Sequence, residues 1–287
     1  MIFLQIASNA RHASKRGVLM LPACFALFLL MEFPNQNLSL QFKTGQTNVF
    51  LVEQESVITD TLGDNTSVVK NRTSVKKEWK VTEVDNGQVA TMEMRVLQLN
   101  METTRPNGEI FKYSSASPEG PLKESLSPLV GPVVAKIKVD SLGRVIQVIE
   151  AKFGNASRFE AEPPFGAILH SQIPSKGQQW TRDYQLILEP PAGTGEKIAM
   201  HQKYVINDIA GSLVSISVQT NSAKPFANGL EESALAQMMP SGVVVFDLDK
   251  KVTVRTEMTI DREIANTAGP GSKCHFKASY RETLLDK

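Results

Sequence analysis

His12, His170, His201 and His275, with Cys24 and Cys274, are the side chains best suited to hold a metal or to serve as nucleophile and base. Catalysis needs such groups in mutual reach. No two histidines stand at the H-x-x-x-H spacing that puts both imidazoles on one helix face. Cys274 and His275 are adjacent, but neighbours on a strand point to opposite faces and cannot share a metal without a bulge. Cys274 falls in register with the apolar Phe276 and reads as a buried thiol. There is no G-x-S-x-G nucleophile turn, and Pro240-Ser241-Gly242 reads as the end of a helix. Ala192-Gly193-Thr194-Gly195-Glu196-Lys197 has glycines near a lysine but lacks phosphate-loop spacing; with Pro190-Pro191 before it, it reads as a hairpin loop. Glu231 and Glu232 are consecutive on a predicted helix and diverge by about 100°, which makes them poor acid–base partners. The expectation is therefore no catalytic, cofactor-binding or metal-binding residue, no cofactor, and no enzymatic activity.

Charge adds little chemistry. The 287 residues carry 31 Lys and Arg against 30 Asp and Glu, a net charge of +1, which gives no footprint for nucleic acid. Apolar residues make up 41% and charged residues 21%, ordinary globular usage that excludes disordered, collagen-like and polytopic membrane classes. The run Lys70, Arg72, Lys76, Lys77 and Lys80, with Glu78 inside it, reads as a solvated strand face.

The first 31 residues contain no Asp or Glu and carry Arg11, Lys15 and Arg16. An apolar run of fifteen residues, 17–31, follows. A positive flank before a short apolar core is the pattern of an export signal, and fifteen residues fall short of the roughly 20 that span a bilayer. Glu32, Phe33 and Pro34 follow with no small-x-small cleavage site. The expectation is a signal peptide cleaved near residue 31 or an uncleaved anchor through residues 17–31, in a periplasmic or secreted protein. Leu21-Pro22-Ala23-Cys24 superficially matches a lipoprotein box, but lipidation at Cys24 would leave an apolar tail on the mature chain. Without the leader, 28 basic and 30 acidic residues remain, and Cys274 is the single cysteine.

These chemically quiet residues sit in a pattern of period two, which buries one face of a strand and wets the other. Met92, Met94 and Val96 alternate with polar residues, as do Ala135, Ile137 and Val139. The same holds for Val214, Ile216 and Val218, and for Cys274, Phe276, Ala278 and Tyr280. Val252, Val254, Met258 and Ile260 share one register in which Thr256 is the polar exception. Clean alternation marks antiparallel sheets, and Asp85-Asn86-Gly87 and Ser141-Leu142-Gly143 supply tight hairpin turns. Helical patterning is confined to residues 122–130, with Leu122, Leu126, Leu129 and Val130, and residues 230–239, with Leu230, Leu235, Met238 and Met239. The predicted class is mainly β: antiparallel meanders in two similar halves, each with one short helix packed on the sheet. The buried face is to include Met92, Met94, Ile137, Val139, Val214, Ile216, Val252, Val254, Phe276 and Tyr280.

The halves follow one order. Thr44-Gly45-Gln46-Thr47 is matched by Lys176-Gly177-Gln178-Gln179, Trp79 to Gly87 by Tyr204 to Gly211, and Leu122-Lys123-Glu124-Ser125 by Leu230-Glu231-Glu232-Ser233. Strands ending at Asp140 and Asp247 follow. Internal duplication gives a leader over 1–31, a first half over 32–153, a connecting segment over 154–176 marked by Pro163-Pro164 and Pro174, and a second half over 177–287.

The stretch Ile173-Pro174-Ser175-Lys176-Gly177-Gln178-Gln179-Trp180, with hairpins such as 140–145, resembles a family of uncharacterised bacterial exported proteins with a leader and two β-rich halves. The resemblance implies an envelope location and carries no catalytic residues. The layout is also similar, at the level of fold, to open-barrel lipoprotein carriers of the bacterial envelope. The functional expectation is a non-catalytic extracytoplasmic protein that binds a lipid or other apolar or amphiphilic ligand, with methionine-bearing helices as an adaptable cover. The competing expectation is a structural or interaction module for an envelope protein, with a filled core. Membrane contact is expected only through the N-terminal segment.

Overall fold

Period-two alternation becomes one continuous sheet. The computed structural model describes residues 36–152, 156–188 and 195–286; the leader, Cys24 and most of the 190–197 loop lie outside these residues. The first-half strands are β1 (Thr47–Leu62), β2 (Asn65–Val84), β3 (Ala90–Thr104), β4 (Ile110–Ser114), β5 (Val133–Val139) and β6 (Val145–Ala151). The second half supplies β7 (Gln179–Leu188), β8 (Glu196–Ala210), β9 (Leu213–Ser222), β10 (Ser241–Asp247), β11 (Val252–Ala265) and β12 (Lys273–Leu284). The order is β6-β5-β3-β2-β1-β12-β11-β10-β9-β8-β7, with β4 added to the far end of β3. Each half is an arm, and β12 joins the arms by pairing with β1 from Phe50↔Leu284 to Thr61↔Lys273.

Matched sequence pieces make matched contacts. Gly45 N–H donates to the Val81 carbonyl at 2.9 Å, and Val81 N–H donates to the Gln46 carbonyl at 2.8 Å. Gly177, Ile206 and Gln178 repeat the pair at 2.8 and 2.9 Å. Gly45 and Gly177 sit at φ of 84° and 83°, a conformation that favours glycine. Asp140 Oδ1 accepts from the Leu142 and Arg144 amides, as Asp247 Oδ1 does from Asp249 and Lys250.

The predicted inner face holds. Met92, Ile137, Val139, Val214 and Ile216 are fully buried, Val252, Phe276 and Tyr280 are buried, and Met94 and Val254 pack against them half-buried. Thr256, the polar exception, is buried in the same register.

The helices differ from expectation. Residues 122–130 form only α1 (Lys123–Leu126) and a 3-10 turn (Ser127–Leu129) that bury no residue, so this stretch is not a cover. Pro128 lacks the N–H that would continue the helix. The second predicted helix is α3 of the chain, Gly229–Ala236, with Leu235 and Ala236 buried. The helix that sequence patterning missed is α2 (Ala156–Ala161), which packs on both β6 and β7, the end strands of the sheet.

Residues 154–176 do more than connect. Phe165, Ala167, Ile168 and Leu169 are core residues, joined by Leu38, Leu40 and Phe42 from the segment before β1. The Phe165 ring lies 6.3 Å from Trp79 on β2, while its carbonyl accepts from Thr253 Oγ1 on β11 at 3.2 Å. Leu40 N–H donates to Ser141 between β5 and β6, and Gln41 N–H to Lys251 between β10 and β11. Successive residues thus reach turns on opposite arms, so the sheet is rolled and these two segments plug one end of its inner face.

Candidate ligand-binding face

The inner face changes character along each strand. On β8 the inward residues run Ile206, Tyr204, Gln202, Met200 and Ile198. Ile206 and Tyr204 belong to the main core, whereas Met200 and Ile198 belong to a second apolar cluster. Gln202, 6% exposed, separates the two.

Gln202 is the centre of a polar belt. Its Oε1 accepts from Tyr204 OH at 2.8 Å and from Arg182 Nη1 at 3.1 Å, and its Nε2 donates to Thr220 Oγ1 at 3.0 Å. Arg182 Nη1 also donates to the Ala161 carbonyl at the end of α2, at 2.9 Å, and its guanidinium lies 4.4 Å from the Tyr184 ring centre. Burial pushes the Tyr184 and Tyr204 hydroxyls above the ordinary tyrosine range, with Arg182 opposing it. Trp180 stacks on Tyr204 at 5.4 Å and donates its Nε1 hydrogen to the Ile168 carbonyl at 2.8 Å.

The belt continues through β11 and β12 and across the seam into the first arm. Thr256, Glu282, Gln54 and Ser56 are buried polar residues on β11, β12 and β1. Lys77 on β2 reaches Glu282 at 2.9 Å, and Tyr280 OH donates to Glu282. Burial, reinforced by the Glu282 charge, pushes the Tyr280 hydroxyl well up. The reading of residues 70–80 as a solvated face needs one correction. Lys70, Arg72, Lys76 and Lys80 face solvent, but Lys77 turns inward. It stands two residues from Val75 and from Trp79, so plain alternation carried the signal.

Beyond the belt lies the second apolar cluster: Ala161, Leu186, Leu188, Met200, Leu235 and Met239, with Met238, Phe226, Tyr184 and Ile198 around them. The third helix of the chain, α3, lies over it. Asn228 caps α3 by accepting from Glu231 N–H at 2.9 Å, the Glu231 carboxylate accepts from Ala227 N–H, and Arg262 on β11 holds Glu232 at 3.7 Å. Three methionines give this cluster an adaptable lining.

The residues weighed for catalysis stay apart. His201 pairs with Asp183 and His275 with Asp261, each at 2.7 Å on the outer face. Cys274 is buried inward, opposite in direction to His275, and its thiol is pushed up to about 12 by burial and by Asp60. His170 lies against Trp180, ring centres 5.9 Å apart. Among the described residues no group of three His, Cys, Asp or Glu is placed to hold a metal ion, and no helix is long and apolar enough to cross a membrane.

No family model matches the chain, and no curated protein matches it. Among solved structures it is similar to lipovitellin, in a structure describing lipid–protein interactions, with 11% identity and a TM-score of 0.49 over 86% of this chain. The match spans 26% of the lipovitellin chain. It also matches DynF of the dynemicin biosynthesis pathway of Micromonospora chersina, with 7% identity and a TM-score of 0.20, over 86% of this chain and 83% of that one. At these scores neither likeness bears on function.

Proposed function

We propose that the chain is a non-catalytic, exported binding protein for an amphiphilic ligand. The observation that carries this is the division of the inner face: a second apolar cluster, covered by α3, lies beyond a belt of buried polar groups. A ligand with an apolar tail among Met200, Leu235 and Met239 and a polar part at Arg182 and Gln202 matches that division. The amphiphile reaches the face by displacement of α3, which is held by buried Leu235 and Ala236, by close packing of Gly229 on the Ala265 carbonyl of β11, and by the Arg262–Glu232 ion pair. The export reading of residues 1–31 agrees with such a role at the cell envelope. The matched hydrogen bonds at Gly45 and Gly177 support descent of the two halves from one duplicated unit.

Native mass spectrometry with lipid extraction, on protein purified from its own envelope, tests the reading. A stoichiometric lipid is expected, together with saturable binding of N-phenyl-naphthylamine that Leu235→Glu abolishes. A second reading has its own observation. The plug fills one end of the inner face with buried side chains, and the residues under α3 are themselves buried against one another. Protein without lipid and without probe binding would favour an interaction module with a filled core.

A further inference from the structure

The outer face of the first arm carries a groove that the inner-face reading does not use. Its volume is about 660 Å3, within the roughly 300–1,000 Å3 usual for small-ligand sites. Strand register builds its floor. Ser74 lies opposite Asn100, and Asn100 opposite Ser114, forming one cross-strand row. Arg72, Glu102 and Lys112 form the next row. The wall is the turn after β4, with Ser117, Glu119 and Pro121. Ile110, 51% exposed, gives an apolar edge at the open end.

The charges on this floor are already matched. Arg72 Nε meets Glu55 at 3.0 Å, and Lys112 Nζ meets Glu102 at 2.9 Å. A free phosphate or sulfate would compete with a carboxylate for each cation, with Glu119 on the wall adding a further negative charge. What the groove offers in quantity is alternating donors and acceptors: three hydroxyls, one amide, and carboxylate oxygens beside cationic N–H groups. Ser114 Oγ donates to Asn100 Oδ1 at 2.8 Å, which fixes the amide and leaves its NH2 group to face a ligand. Dense, charge-balanced hydrogen bonding beside an apolar edge is complementary to a sugar ring, whose hydroxyls and C–H face need both.

We propose that this groove binds a neutral oligosaccharide. The site is independent of the inner face, so the amphiphile reading can fail without affecting it.

The test is NMR titration of the intact exported chain with maltotetraose, cellotetraose and N-acetylchitotetraose, with tetragalacturonate and an extended lysine-bearing hexapeptide as competitors. At least one neutral sugar is expected to shift the Asn100 side-chain amide and the Ser74 and Ser114 backbone amides saturably. Asn100→Ala is expected to weaken binding about tenfold through lost hydrogen bonds. Ser114→Ala, which frees the Asn100 amide to rotate, provides an independent second variant. The proposal is overturned if no neutral sugar shifts these signals at millimolar concentration. Shifts that survive both substitutions, or stronger binding of the polyanion or the peptide, overturn it equally.

Discussion

Lys77 and Glu282, two strands apart on the inner face, meet at 2.9 Å across β1, with the Lys77 ammonium 5.9 Å from the centre of the Phe50 ring. Both side chains are nearly buried, 15% and 7% exposed. Removing one partner leaves the other charge uncompensated, whereas replacing both with apolar groups restores the balance. Lys77→Met is expected to cost about 3 kcal/mol, and adding Glu282→Leu to recover most of it. Urea unfolding of the parent and both variants checks this, and a single-variant cost under about 0.5 kcal/mol would put the pair in the class of surface ion pairs.

The plug makes a second prediction. Gly166 sits at φ 78°, and a Cβ there would lie 2.7 Å from Thr256 Oγ1 and 3.2 Å from Val244 Cγ2. Gly166→Ala therefore meets both backbone strain and a clash, and is expected to destabilise by about 2 kcal/mol. Phe165→Ala is expected to cost about 3–5 kcal/mol. Thermal unfolding that leaves both variants like the parent would show that the segment is not docked in the core.

Asp261 is expected to stay ionised below the usual carboxylate range, because His275 and Lys277 both donate to it. A depressed folded-state pKa stabilises the fold above the unfolded value of about 4. That contribution is lost as pH falls through the folded value. His275→Asn with Lys277→Gln should move the Asp261 carboxyl resonance midpoint back toward 4 in an NMR titration. An unchanged midpoint would contradict the assignment of cause.

Cys274 is expected to resist alkylation in the folded protein. With its thiol pushed up to about 12 by burial and Asp60, the thiolate is scarce at pH 8. Iodoacetamide should label it only after addition of guanidinium, as read by intact mass. Prompt labelling of the native chain would mean that the residue is open to solvent.

Much of the sheet was legible because alternation is a local signal. Ile137, Ile216 and Tyr280 each declare their face through residues two positions away. Even Lys77 was readable this way, had its register with Trp79 outweighed its charge. The plug was not legible. Phe165, Ile168 and Leu169 show no strand alternation and form no helix, and they are buried only because two arms distant in sequence curl toward each other. The six residues of α2 are too few to show a helical stripe. The second apolar cluster was half visible, through Leu235, Met238 and Met239, but its partners Leu186 and Met200 come from strands that the pattern could not place beneath that helix. The outer groove depends on register: Ser74, Asn100 and Ser114 become neighbours only once β2, β3 and β4 pair.

The pairing of β1 with β12 has a consequence for how the fold is reached. The middle seam joins Phe50 to Leu284 and Thr61 to Lys273, the most sequence-distant ladder in the sheet. Closing it brings together residues more than 200 positions apart, and such contacts form slowly. Either arm can begin its hairpins early, but the rolled sheet closes only after the last strand has been synthesised. Until then β1 presents an unpaired edge. A chain with its seam in the middle thus keeps that edge of β1 open until β12 has been made. Refolding followed by pulsed hydrogen exchange should show the amides of β2–β3 and β8–β9 protected before those of β1 and β12.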